Sequence, residues 1–144
     1  MKRILIAVLV LAGGVLFVFG CSSEKVIENK IDDWTDAIND GDTGALTDAV
    51  SPDSEMYDPV NIDNLIDVYF SGLTPVGYDL GNIDIDKPYA DVPAEATYAG
   101  IPNDAKFVMK KESGFFSFLF PKWNVYQYYD NGDFGTPVWK KVRR

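Results

Sequence analysis

The chain contains no histidine. That removes the commonest general base, the Ser-His and Cys-His nucleophile pairs, and imidazole-ligated metal sites. What remains for chemistry is carboxyl and phenol: 22 Asp and Glu residues and eight Tyr. A carboxylate in a partly dry pocket can act as a general base, and a neighbouring phenol can donate a hydrogen bond to the reacting atoms. Tyr69, Tyr78 and Tyr98 are the phenols that could line such a pocket, with Trp34 and Phe118 as its apolar lining. Burial as core aromatics, with the hydroxyl at the rim, is the commoner use of such residues. No Asp stands in a spacing that assigns it a catalytic role.

Oxygen-rich segments invite a calcium reading, because Ca²⁺ takes clustered oxygen ligands. Asn82, Asp84 and Asp86 share one face if their segment is a strand, yet a solvated outer face explains them as well. Asp40-Gly41-Asp42 and Asp130-Asn131-Gly132-Asp133 superficially resemble calcium loops. Both lack the downstream Glu of an EF-hand, and helix capping and turning account for them. No metal and no cofactor is expected.

The totals narrow the classes further. The 144 residues are 47% hydrophobic and 14% aromatic, the composition of a folded domain. The formal charge is −9, and the negative excess is concentrated in residues 22–67, with 13 acids against Lys25 and Lys30. Residues 68–144 balance nine acids with nine bases. Phosphate repels so acidic a chain, so nucleic acid is not expected as a partner. The one cysteine, Cys21, cannot form an internal disulfide.

Its setting offers a use for it. Met1-Lys2-Arg3 is a cationic start, and residues 4–19 are an apolar run broken only by Gly13-Gly14. Sixteen helical residues span about 24 Å, short of a hydrocarbon core of about 30 Å, so a secretory signal fits better than a membrane span. The run ends in Val18-Phe19-Gly20-Cys21. This resembles the bacterial lipobox, with Phe19 as a departure from its usual residue type. The resemblance implies diacylglyceryl transfer to the Cys21 sulfur, cleavage between Gly20 and Cys21, and acyl chains such as palmitate. The alternative is an uncleaved signal anchor with an incidental cysteine. On the lipobox reading, residues 1–20 are a signal peptide, 21–23 a lipidated Cys and short tether, and 24–144 one domain. That domain is held outside the cytoplasm at the cell membrane or, since Ser22 is not the retention-type Asp, at the outer membrane. Two or three acyl chains anchor durably, where one is marginal.

The domain reads as helices followed by strands. Ile27, Ile31, Trp34 and Ile38 form the apolar stripe of a first helix that Gly41 ends. Asp42 caps a second helix with Leu46, Ala49 and Val50 inward, stopped by Pro52. Asn61 caps a third, in which Ile62, Leu65, Ile66 and Tyr69 share a face, closed by Gly72 and Pro75. From Gly77 onward alternation predicts strands: residues 77–86, 94–99 between Pro93 and Pro102, 105–112, 115–120, 122–129, and a last strand over 136–143 after the Asp130-Asn131-Gly132 turn. The expected architecture is α+β, with N-terminal helices packed on a curved antiparallel sheet. Residues 115–120, Phe-Phe-Ser-Phe-Leu-Phe, read as a buried strand or an exposed apolar tip that meets lipid or protein. Lys140, Lys141, Arg143 and Arg144 form a basic tail, with the less acidic side expected to face the membrane.

Trp34-Thr35-Asp36-Ala37-Ile38, Asn39-Asp40-Gly41-Asp42, Leu46 and Ser51-Pro52 resemble the helix–Gly-Asp–helix opening of NTF2-like domains of the cystatin-like superfamily. Val138-Trp139-Lys140-Lys141-Val142 resembles that family's closing strand. The resemblance implies a conical pocket between helices and sheet, but no single activity, because the family includes enzymes, carriers and dimerisation modules. The expectation is a non-catalytic envelope lipoprotein that binds a small apolar ligand or a protein partner. The alternative is an NTF2-like enzyme using a pocket Asp with Tyr assistance.

Overall fold

The computed structural model describes residues 22–114 and 120–142. Cys21, Gly20, Phe118 and the other residues of 115–119 therefore lie outside the described residues, as do Arg143 and Arg144. Helices lead and strands follow: α1 Ser22–Asp40, α2 Thr43–Ala49, a 3₁₀ turn Glu55–Tyr57 and α3 Pro59–Asn64, which continues as a π-helical turn Leu65–Tyr69. The strands are β1 Val76–Leu80, β2 Asp84–Asp86, β3 Tyr89–Tyr98, β4 Ile101–Lys111 and β5 Trp123–Tyr129, and α4 Val138–Lys141 closes the chain. This is an α+β fold with helices on one face of an open, curved, antiparallel sheet ordered β1-β3-β4-β5. β2 pairs with the same edge of β3 as β1, further along.

The helical stripe is buried as its periodicity predicts: Ile27, Ile31, Trp34 and Ile38 all lie in the core. Gly41, at φ +67°, ends α1. Its N–H donates to Ile38 O and the Asp42 N–H to Ala37 O, which satisfies two of the helix's last carbonyls. Asp42 then turns to its second task, accepting from the Ala45 N–H at 2.9 Å as the N-cap of α2. Leu46, Ala49 and Val50 are buried behind it.

The third helix begins three residues earlier than expected. Asp58 caps it by accepting from the Val60 N–H, and Pro59 occupies the first turn, where its missing N–H costs nothing. Asn61 sits inside the helix, buried, donating to Glu55 O. The helix widens at its end, where the Phe70 N–H reaches back five residues to Leu65 O.

Two prolines expected to fence a strand lie within strands instead. The Gly81 N–H donates to Pro93 O, so the side of β3 on which Pro93 lacks a donor faces the gap between β1 and β2. No ladder bond is lost there. A Cβ on Gly81 would come within 3.1 Å of the Pro93 ring, which is why a glycine fits this crossing. Pro102 lies beyond the last β4–β5 pair, Lys106 with Tyr129, where no partner strand needs its N–H. The 77–86 segment is thereby split. Asp84 and Asp86 are exposed on β2, while Asn82 lies in the break, so the three oxygen ligands are not set on one strand face.

The expected last strand is a short helix. Asp133 accepts from the N–H groups of Gly135 and Thr136, which turns the chain, and Pro137 then opens α4. A returning strand would need the free edge of β5. That edge is already taken by the chain after α2, where Val50 bridges Val125 and the Ser51 N–H donates to Val125 O at 2.8 Å.

The opposite edge, β1, is blunted by a side chain. Asn39 donates from Nδ2 to Val76 O at 2.9 Å and accepts the Val76 N–H at 2.7 Å, doing what a neighbouring strand would do. We expect Asn39→Ala to lower stability by about 1–2 kcal/mol, because both Val76 groups lose their partner. The midpoint of urea unfolding, at unchanged slope, measures it.

Candidate functional site

The side chains with the most chemical potential meet under the helices. β5 carries a bulge: Met109 pairs with Val125 but Val108 pairs with Gln127, leaving Tyr126 as the inserted residue. Before the bulge Trp123 and Val125 point inward; after it the phase changes, and Tyr128 and Asp130 do. The Ser54 hydroxyl holds the bulge by donating to Tyr126 O at 2.6 Å. Without the inserted residue, Tyr128 and Asp130 would face out.

Asp130 is 0% exposed. Its Oδ2 accepts hydrogen bonds from Tyr69 of the π-helical turn and from Tyr98 at the end of β3, the latter at 2.7 Å. Its Oδ1 accepts from Lys141 Nζ of α4 at 3.1 Å and from Asn131 Nδ2 at 3.3 Å. Lys141 also donates to Asp130 O at 3.3 Å and reaches Asp133 at 3.7 Å. A carboxylate offers about four lone-pair sites, and each oxygen here has two donors. The Tyr98 hydroxyl also bonds the Tyr128 hydroxyl, and Trp34 Nε1 donates to the Tyr78 hydroxyl at 3.4 Å.

Rings fill the space around these groups. Trp34 packs edge-on against Phe107, with centroids 5.9 Å apart, and tilted against Tyr128 at 5.6 Å. Phe107 and Tyr128 are 4.7 Å apart, Tyr78 and Phe107 4.9 Å, and Phe70 and Tyr98 6.0 Å. Trp34, Phe70, Phe107 and Tyr128 have no more than 1% of their surface exposed.

Burial pushes the phenols of Tyr69, Tyr78, Tyr98 and Tyr128 well above their ordinary 10.0. Asp130 adds to this at Tyr69 by accepting its proton in a hydrogen bond, and the neighbouring phenol of Tyr78 adds to it at Tyr98 and Tyr128. Each hydroxyl is thus held neutral.

Four of the five pocket residues expected from sequence are therefore brought together. Trp34, Tyr69, Tyr78 and Tyr98 belong to one cluster, while Phe118 is outside the described residues. They are joined to one another through ring and hydroxyl contacts. Two concavities of described residues at the surface have other linings. One of about 290 Å³ between α1 and α2 is lined by Lys30 with Asp33, Asp36, Asp40, Asp42 and Asp48. Another, of about 480 Å³, has Ser54, Tyr57, Asp58 and Asn61 around the edge of Trp139. Among the described residues no set of three or more acidic or thiol side chains is placed to hold a metal ion.

Asp130, Tyr128 and Lys141 were missed by sequence reasoning. Asp130 precedes Asn131 and Gly132, both at positive φ, and the turn alone explained it. Lys141 was placed on a strand that does not form. The chain matches no family model, and no curated protein and no solved structure is significantly similar to it.

The phenol cluster gives stability a definite pH dependence. Below pH 10 both folded and unfolded chains keep the phenolic protons. Above it the unfolded chain releases them while the folded chain retains them, so the unfolded state binds fewer protons and stability falls as pH rises. We expect the urea midpoint to decline steadily from about pH 9 upward, with the tyrosinate absorbance of Tyr69, Tyr78, Tyr98 and Tyr128 appearing only as the chain unfolds. Tyrosinate formation by all eight tyrosines in the folded chain would contradict this.

Proposed function

We propose that this chain is a cell-envelope lipoprotein, anchored through Cys21, whose domain is a non-catalytic binding module that meets a protein partner at its surface. The observation that carries the reading is the filled interior. The aromatic groups that could have lined a ligand cavity pack ring against ring. The one fully buried carboxylate among the described residues, Asp130, is engaged by four side-chain donors. A carrier needs a space lined by apolar groups, and a general base needs a free lone pair facing a substrate. The contacts made by this cluster offer neither, which supports surface contact.

The lipobox-like Val18-Phe19-Gly20-Cys21 supports the address, and so does the anchor chemistry. No described helix is long and apolar enough to cross a membrane. A second reading, an enzyme of NTF2-like type using a buried Asp with Tyr assistance, draws on the Asp130, Tyr69 and Tyr98 contacts. The Lys141 ion pair and the full burial of Asp130 weigh against it.

Intact mass of the chain purified from its native membrane tests the address. The expected species lacks residues 1–20 and carries a diacylglyceryl adduct on Cys21, and Cys21→Ser should abolish both changes. A free thiol at Cys21 together with a retained Met1 would overturn the proposal.

A further inference from the structure

Resting on the lipoprotein reading, we infer that the end of the domain bearing the β4–β5 connection is seated on the phospholipid surface, with Phe120 in the interfacial layer. The first residue of α1 is Ser22, directly after Cys21, so no loose tether separates the anchor from the fold. Whatever surrounds the first turns of α1 is then held against the headgroups.

Two independent sets of contacts say which end that is. Asn39, near the last turn of α1, bonds Val76, which pairs with Tyr98, which pairs with Ile101 at the β3–β4 hairpin. Trp34, five residues earlier, touches Phe107, six residues further along β4. Moving backward along α1 therefore moves away from the hairpin and towards the end of β4. The groove between α1 and α2 sets Lys30 and Asp33 beside Asp48 and Ala49. The next residue, Val50, bridges Val125, which pairs with Met109. Lys30 is thus level with Met109. From Lys30 back to Ser22 is about 12 Å of helix, whereas from Met109 to the end of β4 is only about 7 Å of strand. The first turn of α1 therefore reaches past the strand ends, by about 5 Å, at the end where β4 finishes and β5 begins.

That end is made for an interface. Phe120 is 71% exposed, the most exposed large hydrophobic side chain described. Lys122 is two residues from it, and the Glu112 N–H donates to Lys122 O, so Lys111 and, through Pro88, Lys87 belong to the same end, set against Asp86, Glu112 and the Glu24 and Glu28 of α1. The Lys111 N–H donates to Pro88 O, which ties the β2–β3 turn to the same end. An aromatic ring flanked by lysines suits the boundary between acyl chains and headgroups. The acid-lined groove between α1 and α2 is on the helical flank instead. Of the basic tail, Lys141 is paired with Asp130 and Lys140 lies 5.1 Å over the Trp139 ring. The turn leading to them is tied to the hairpin half of β4 by the Gly132 N–H to Asp104 O bond, so the tail is away from the anchored end.

The test places a reporter at each end of the full lipidated chain, reconstituted in vesicles of phosphatidylcholine and phosphatidylglycerol at a ratio of about four to one. Phe120→Trp marks the proposed interface. Ile101→Trp marks the hairpin, ten residues or about 33 Å along β4 from Lys111, where Ile101 is 66% exposed. Taken as the difference from the parent chain, which has three tryptophans of its own, the emission added by Phe120→Trp should be blue-shifted on vesicles and quenched by brominated lipids, and that added by Ile101→Trp should be unchanged. Equal quenching of both, or none at position 120 while mass confirms a lipidated Cys21, overturns the inference and leaves the lipoprotein reading standing. An unmodified Cys21 in the same sample overturns both. Should the variants fail to fold, amine labelling of the native chain decides: Lys87, Lys111 and Lys122 should be protected on vesicles relative to detergent while Lys140 is not. Equal labelling of all four overturns it.

Discussion

Keeping the Asp130 carboxylate away from water is the most demanding requirement this fold meets. An uncompensated buried charge costs several kcal/mol, so such a group persists only where donors converge on it. Here the donors come from four places in the chain: Tyr69 on the π-helical turn, Tyr98 at the end of β3, Asn131 in the following turn and Lys141 on α4. Irregularities that look incidental one by one serve this end together. The β5 bulge turns Asp130 inward. The widened turn after α3 sets Tyr69 beside Asp130 and fully buried Phe70 next to it. The short α4, in place of a strand, swings Lys141 back over the carboxylate.

The same cluster explains why the molecule is read as a surface-acting module. A sheet with helices on one side generates a natural hollow, and in this chain Trp34, Phe70, Phe107 and Tyr128 occupy it. The polar atoms of this cluster are engaged with each other, from Trp34 to Tyr78 and from Tyr128 through Tyr98 to Asp130. A satisfied network of this kind rigidifies a core. On the proposed reading recognition falls to the outside, where residues 22–67 are strongly acidic and residues 68–144 are balanced.

Much of the fold was legible in the sequence, because local rules and burial agree there. The stripe Ile27, Ile31, Trp34, Ile38 has one period, and the Gly41-Asp42 junction has one sensible capping geometry. Legibility failed where a tertiary contact overrode a local rule. Pro93 looks like a strand breaker until the gap beside Gly81 is known. Residues 136–143 alternate like a strand, but the edge they would join is filled by Val50 and Ser51. The site followed the same logic. Trp34, Tyr69, Tyr78 and Tyr98 were recognisable as inward aromatics, whereas Asp130 depends on a one-residue insertion whose position no periodicity reveals.

On the proposed reading Asp130 holds the fold together rather than reacting with a substrate. Fold-holding and function-serving acids differ in sign: removing the first uncouples its donors, while removing the second commonly leaves stability unchanged or improved. Chemical denaturation of Asp130→Ala beside the parent chain at neutral pH is the direct measurement. The structure predicts a loss of about 3–5 kcal/mol, since Tyr69 loses its acceptor, and Lys141 and Tyr98 lose the carboxylate and keep only Asp130 O, Asp133 and the Tyr128 hydroxyl. A variant as stable as the parent, or more so, would contradict it.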